Sequence, residues 1–333
     1  MPVYKIKHVT HYYYDQPVYD SINQMMLYPF VDSNQNVLQQ SFTITHQPTI
    51  ETFSDKFGNK LGIFSLVSPH TELCIISHLE VEIFPVSIPA FERSADQLWQ
   101  QYEKYNADYL YNDFLQPDES KNIGEIHSLV TSFKDKTKSP LQMAILFSEY
   151  IFQHFTYTQG VTSVETDIDE IWKLKAGVCQ DFAHFLLTML RLVKIPARYV
   201  SGYICPGHDE WRGAGATHAW VEIFIPDFGW LGLDPTNNCI ASDRHVRLAV
   251  GRYFKDCTPV KGIYKGTLDH RLEVSVTVEN GGREPVKSYL DTELVSEKNV
   301  PSFVSEVKSK DLPGGNSYQA FIKMQQQQQQ QQQ

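Results

Sequence analysis

Ala176-Gly177-Val178-Cys179-Gln180-Asp181-Phe182 sets a cysteine where a glycine-bearing irregular stretch gives way to a long apolar segment. From Phe182 the apolar positions Phe182, Leu186, Met189 and Val193 recur at steps of four, three and four. Leu187, Leu190 and Leu192 make the other faces apolar too, which predicts a buried helix. Pro196 stops it, because proline has no N–H to donate and disfavours helical geometry in the residue before it. Cys179 therefore sits at a helix N-terminus. Unpaired backbone N–H groups and the positive end of the macrodipole favour S⁻ over SH there, so a reactive thiolate is expected.

Two later stretches, Thr217-His218-Ala219-Trp220 and Leu233-Asp234-Pro235-Thr236, supply an imidazole and a carboxylate. Both lie on strand-like runs. Side chains alternate along a strand, so His218, Trp220 and Glu222 share one face, and Trp230, Gly232 and Asp234 share another. Pro226, Asp227 and Gly229 are turn formers, and the two runs read as an antiparallel hairpin. A two-residue turn at Asp227-Phe228 would put His218 and Asp234 on opposite faces, so an odd loop or a bulge is expected. Cysteine, histidine and aspartate then make a nucleophile, its base and the group that orients the base.

Gly-Val-Cys-Gln-Asp-Phe-Ala-His (177–184), Thr-His-Ala-Trp-Val-Glu (217–222) and Gly-Trp-Leu-Gly-Leu-Asp-Pro-Thr (229–236) resemble the three blocks of the transglutaminase-like superfamily, in its microbial branch of cysteine-protease-like proteins. Tyr12 to Val18, Asp55-Lys56-Phe57-Gly58-Asn59 and Ser68-Pro69-His70 resemble the β-rich N-terminal domain of that branch, as Phe155-Thr156-Tyr157-Thr158 resembles its segment before the nucleophile. The resemblance covers residues 1–280 and implies an α+β fold: a papain-like, transglutaminase-like core, with a nucleophile helix packed on an antiparallel sheet, preceded by a β-rich domain. It also implies catalytic roles for Cys179, His218 and Asp234.

Gln180, Tyr203, Trp220 and Trp230 are candidates for the substrate cleft; for the two tryptophans core packing is an equal alternative. Backbone N–H groups at the helix start, including that of Cys179, are the expected oxyanion donors. The other cysteines, Cys74, Cys205, Cys239 and Cys257, form no CxxC pair, and an odd total of five argues against a disulfide framework. With no apolar leader at Met1 to Lys7, a reduced, cytoplasmic protein is expected. None of the twelve histidines lies in HExxH, and no acidic loop suits calcium, so no metal or cofactor is expected. A net charge of −10 disfavours nucleic acid, and no uncharged apolar run reaches membrane-spanning length. The expected partner is a protein or peptide substrate.

The 333 residues suit about two domains, with 42% apolar and 13% aromatic residues to fill their cores. Residues 1–88 read as strands and turns, 89–138 as a helical connection, and 139–280 as the core. In that core Ser139-Pro140-Leu141-Gln142 opens a helix with a capping box, whose stripe from Leu141 to Phe155 should pack on the nucleophile helix. Leu272 to Val278 alternates strictly, and this last strand should return to one of the β layers. Residues 281–333 turn to Glu, Lys, Ser and Pro and end in nine glutamines, a composition that predicts disorder.

The triad predicts attack of a thiolate on an amide carbonyl and a thioester intermediate. Water as acceptor makes a cysteine protease or amidase, an amine makes a transglutaminase, and a non-catalytic scaffold module is the third reading. The polar, glycine-bearing loop 206–213 suits an open, wetted cleft and tips the balance toward hydrolysis. Removing the residues after about 290 is expected to leave the thermal unfolding midpoint unchanged. A fall in that midpoint or in solubility on truncation would show that the tail packs on the body.

Overall fold

β1 (Val3–Met25) runs through the N-terminal half as a single 23-residue strand in the computed structural model, which describes residues 1–87, 93–133, 135, 137–163, 165–205, 211–212, 217–266 and 270–280. The 281–333 tail and most of the 206–213 loop lie outside the described residues. Along β1 every second residue from Tyr4 to Tyr14 points inward, as an alternating strand with one covered face requires. β2 (Gln35–Ile44), β3 (Glu51–Ser54), β4 (Lys60–Leu66) and β5 (His70–Ile83) complete this region, in the order β2-β5-β1-β4-β3.

Helices follow: α1 (Ala95–Asn106), α2 (Tyr109–Asn112), α3 (Ile123–Ser132) and α4 (Pro140–His154). α4 starts at the capping box read from the sequence, with Ser139 Oγ accepting from the Gln142 N–H and the Gln142 side chain accepting from the Ser139 N–H. Then come β6 (Thr156–Tyr157), α5 (Ile168–Leu174), β7 (Ala176–Gly177) and α6 (Cys179–Leu192). α4 packs against α6, and Phe155 just beyond it meets Phe182 and Phe185 of α6.

α6 lies on an antiparallel sheet built from β8 (Ala197–Ile204), β9 (Thr217–Ile225), β10 (Gly229–Asp234), β11 (Cys239–Ile240) and β12 (His245–Gly251), ordered β11-β10-β9-β8-β12. The class is α+β. Gly202 of β8 stands opposite His218 of β9, and a Cβ there would meet the Val246 carbonyl at 2.1 Å and the Trp220 ring at 2.6 Å, so only glycine fits. The chain ends its described course in β13 (Val260–Lys265) and β14 (His270–Asn280), and both pair with β1 rather than with the second sheet.

Two buried amides from the N-terminal half clamp the edge strand β12. Gln35 donates to the Arg247 carbonyl at 2.7 Å and accepts from its N–H at 2.9 Å; Asn59 does the same to Val250 at 2.7 and 2.8 Å. Asn59 is held in turn by Asp55, which accepts from the Asn59 backbone and side chain and from the Phe57 N–H. This gives a physical reason for the Asp55-Lys56-Phe57-Gly58-Asn59 motif. Beside the clamps Glu222 accepts from Arg198 at 2.7 Å and from Arg247 at 2.8 Å, while Arg247 also reaches Asp32. All three interior members are buried, so each charge depends on the others.

Among the described residues no helix is long and apolar enough to cross a membrane. Glu222→Gln, which leaves two buried guanidinium groups without their shared carboxylate, is expected to cost about 3–5 kcal/mol in denaturant unfolding. A loss below about 1 kcal/mol would show that water already screens the cluster.

Candidate active site

Cys179 is the first residue of α6 and is nearly fully buried. The chain reaches it through a short parallel pairing of β6 with β7, in which Thr156 donates to the Lys175 carbonyl and Thr158 to the Gly177 carbonyl. Asp181 folds back over the helix start, and its Oδ2 accepts from the Val178 N–H at 2.7 Å and from the Thr162 hydroxyl at 2.6 Å. A Cβ at Gly177 would lie 2.4 Å from that oxygen, which accounts for the glycine before the nucleophile position. Burial pushes the Asp181 carboxyl up to about 6 against these donors.

His218 and Asp234 meet through the β9–β10 hairpin. Its loop has three residues, Pro226 to Phe228, with Asp227 in the left-handed region, so the odd loop expected from the sequence is present. The register pairs Gly229 with Ile225 and Leu233 with Val221; one step further puts Asp234 level with Trp220, diagonal to His218. Their side chains close the gap: His218 Nε2 lies 2.8 Å from Asp234 Oδ2. Nδ1, the buried nitrogen turned away from Asp234, is then the one available to Cys179, whose side chain acts on the ring both as a hydrogen-bond partner and through its charge. Burial alone would lower the His218 pKa. Asp234 and Cys179 outweigh it and push the imidazole up to about 10, so it is held as a cation at neutral pH.

Asp234 is completely buried and saturated with donors. Oδ1 accepts from the backbone N–H groups of Thr236 (2.9 Å) and Asn237 (3.3 Å); Oδ2 accepts from His218, from the Asn237 side chain (2.8 Å) and from His245 Nε2 (3.2 Å). Burial opposes its ionisation, but the two histidines hold the carboxyl far below the usual carboxylate range.

The structure thus brings Cys179, His218 and Asp234 together. Gln180 follows Cys179 in the first turn and is mostly covered. The other cleft candidates are taken up by packing. The Tyr203 hydroxyl bonds His8 Nδ1 at 2.8 Å in the interior, Trp220 is enclosed against His218 and His245, and Trp230 lies under the Arg198 guanidinium among Phe114 and Phe224. Sequence reading missed three neighbours. Tyr157, half-buried, has its phenol pKa raised by burial and by the Cys179 charge; Asn237 ties Asp234 to the Arg212 carbonyl; His245 is a second histidine on the Asp234 carboxylate. His245 was one of twelve histidines, and only its alternation with Arg247 marks it. His218, Asp234 and His245 also place two nitrogens and an oxygen within 4.8 Å, a spacing that a metal ion could use.

Residues 127–235 match the family model of the transglutaminase-like superfamily, and residues 4–82 match that of the bacterial transglutaminase-like N-terminal region. An uncharacterized protein of Mycobacterium tuberculosis is 32% identical over 292 residues, covering 83% of this chain and 92% of that protein. One from Mycobacterium leprae is 29% identical over 279 residues, covering 82% and 97%. A protein-glutamine gamma-glutamyltransferase of Pseudomonas aeruginosa is 33% identical over 104 residues, 28% of this chain and 15% of that one. Among solved structures, a protein from Cytophaga hutchinsonii described as a candidate cysteine protease shares the fold at a TM-score of 0.67 and 19% identity, covering 85% of this chain and 92% of that one. The fold is the papain-like, transglutaminase-like α+β fold that the motifs imply.

The Asp181 cap carries a pH signature. Its folded pKa of about 6 lies above the ordinary 3.8, so the native state binds more protons than the unfolded chain between those values, and this group's contribution falls as pH rises through that window. Asp181→Asn is expected to remove the dependence: relative to the mutant, the wild type should lose about 2 kcal/mol between pH 4 and pH 6.5 in denaturant unfolding. Parallel stability curves for the two proteins would contradict it.

Proposed function

The chain belongs to the transglutaminase-like superfamily, and from that footing we propose that it is a cysteine-dependent acyl-transfer enzyme acting on amide bonds of a protein or peptide, with hydrolysis as its outcome. The observation that carries this reading is the placement of one buried imidazole, bonded to Asp234 on Nε2 and open to Cys179 on the other side.

In this scheme the resting pair is a thiolate and an imidazolium, the Cys179 proton already lying on His218 Nδ1, and the sulfur attacks the carbonyl carbon to form a tetrahedral oxyanion. Backbone N–H groups at the start of α6, including that of Cys179, stabilise the oxyanion. The C–N bond breaks as His218 returns the proton to the departing amine, leaving a thioester on Cys179. Water then attacks the thioester, with His218 taking its proton, and the acid is released. Asp234 keeps Nε2 protonated throughout, so Nδ1 is the nitrogen that moves the proton.

Transamidation is the second reading, favoured by the likeness of the core to a protein-glutamine gamma-glutamyltransferase. A transglutaminase shields its thioester from water with an apolar channel. Of the aromatic cleft candidates, Tyr203 and Trp220 are engaged in the interior rather than exposed as walls for such a channel, and this supports hydrolysis. A cytoplasmic setting belongs to the same reading, supported by an odd number of cysteines at spacings that suit thiols rather than a disulfide framework.

The test offers a glutamine-containing peptide with and without a primary-amine probe, and follows backbone cleavage, ammonia release and probe incorporation. Hydrolysis without substantial incorporation is expected; incorporation well above hydrolysis at millimolar amine would establish the second reading. Cys179→Ala should abolish turnover. Asp234→Asn should cost roughly a thousandfold or more with the fold retained, because the amide N–H₂ forces His218 to accept on Nε2 and carry its proton on the wrong nitrogen. A Cys179→Ala protein as active as wild type would sink the assignment.

A further inference from the structure

Asp234 Oδ2 receives two histidines, and the mechanism above uses only one. His245 opens β12, lies buried, and points Nε2 at that oxygen from 3.2 Å. Its other nitrogen settles the direction of the bond. The Ser242 backbone N–H approaches His245 Nδ1 at 3.3 Å, and a backbone amide can only donate, so Nδ1 holds a lone pair and the proton sits on Nε2. We propose that His245 is a positioning residue: a neutral imidazole, locked in its Nε2–H tautomer by Ser242, that donates to Asp234 and fixes the carboxylate that orients His218. This rests on the acyl-transfer reading and extends it to a residue outside the triad.

The same nitrogen argues against a metal ion at the His218–Asp234–His245 cluster. A histidine that binds a metal through Nε2 carries its proton on Nδ1 and donates it to an oxygen. At His245 that proton would face the Ser242 N–H, donor against donor. The surroundings keep the ring neutral: Trp211 and Trp220 cover it at 5.6 and 5.1 Å between ring centres, and the charged or titratable groups acting on it are Asp234, His218 and Asp243. Burial lowers its pKa and outweighs the pull of Asp234. Its place in the fold is fixed from the far side, since Gln35 and Asn59 clamp the strand that carries it. Two residues on, Arg247 joins the Glu222 cluster, so His245 and the buried ion pairs lie along the same strand face.

The experiment follows alkylation of Cys179 by iodoacetamide in the full chain from pH 5 to 9, with each cysteine read by peptide mapping, in wild type, His245→Leu and His245→Gln. Glutamine can still offer an N–H to Asp234; leucine cannot. Loosening Asp234 weakens its support of the His218 cation and so of the thiolate. The leucine variant is therefore expected to move the labelling midpoint up by about one pH unit and slow labelling at pH 6 about tenfold, with glutamine recovering most of the rate. A midpoint that does not move in the leucine variant would overturn the proposal, whatever happens to its melting temperature. Should that variant fail to fold, ¹⁵N-histidine NMR of the wild type decides: His245 protonated on Nε2 supports the assignment, and protonation on Nδ1 overturns it. Equal, slow labelling of all five wild-type cysteines would instead strike the acyl-transfer reading, and this proposal with it.

Discussion

One buried carboxylate organises the site. Taking Asp234 out of water costs several kcal/mol, and each hydrogen bond to a charged acceptor contributes about 1.5–3 kcal/mol, so the five donors on its oxygens are what make an ionised side chain tenable there. Those donors come from β9, from the turn after β10 and from the start of β12. Their convergence fixes the carboxylate in one orientation. With Asp234 fixed, His218 is fixed, and the ring has one nitrogen left to share with Cys179.

The N-terminal half is tied into this arrangement rather than set beside it. β12 is an edge strand, and two side-chain amides, from Gln35 and Asn59, bond its backbone where a further strand would otherwise pair. The Tyr203 hydroxyl on His8 and the reach of Arg247 to Asp32 make further ties between the sheets. β13 and β14 close the loop by returning to β1. Residues far from Cys179 in sequence therefore hold the strand that places His245 against Asp234.

The parts of this account that are local in sequence were legible there. The α6 helix announces itself through its apolar spacing and Pro196, the α4 capping box through Ser139 and Gln142, and the hairpin's odd loop through the need to keep His218 and Asp234 on one face. What could not be read depends on pairing across long separations. Gln35 meets Arg247 and Asn59 meets Val250 only because two sheets come together, and neither glutamine nor asparagine carries a periodic signal. Trp220, Trp230 and Tyr203 were ambiguous because an aromatic residue near a site in sequence is equally suited to a cleft wall or to the core; in the structure Trp220 and Tyr203 are buried, while Trp230 is half-buried beside the Arg198 guanidinium. His245 was invisible for the same reason: its partner oxygen is eleven residues away but across a different strand.

The most direct test of the central claim is the protonation state of His218 in the resting wild-type protein, followed by ¹⁵N-histidine NMR as a function of pH. If Asp234 and Cys179 act on the ring as described, both His218 nitrogens remain protonated through pH 7, and the ring titrates only near 10. A His218 ring that is already neutral at pH 7 would contradict the account, because the thiol would then lack the cation that the geometry of the site is built to supply.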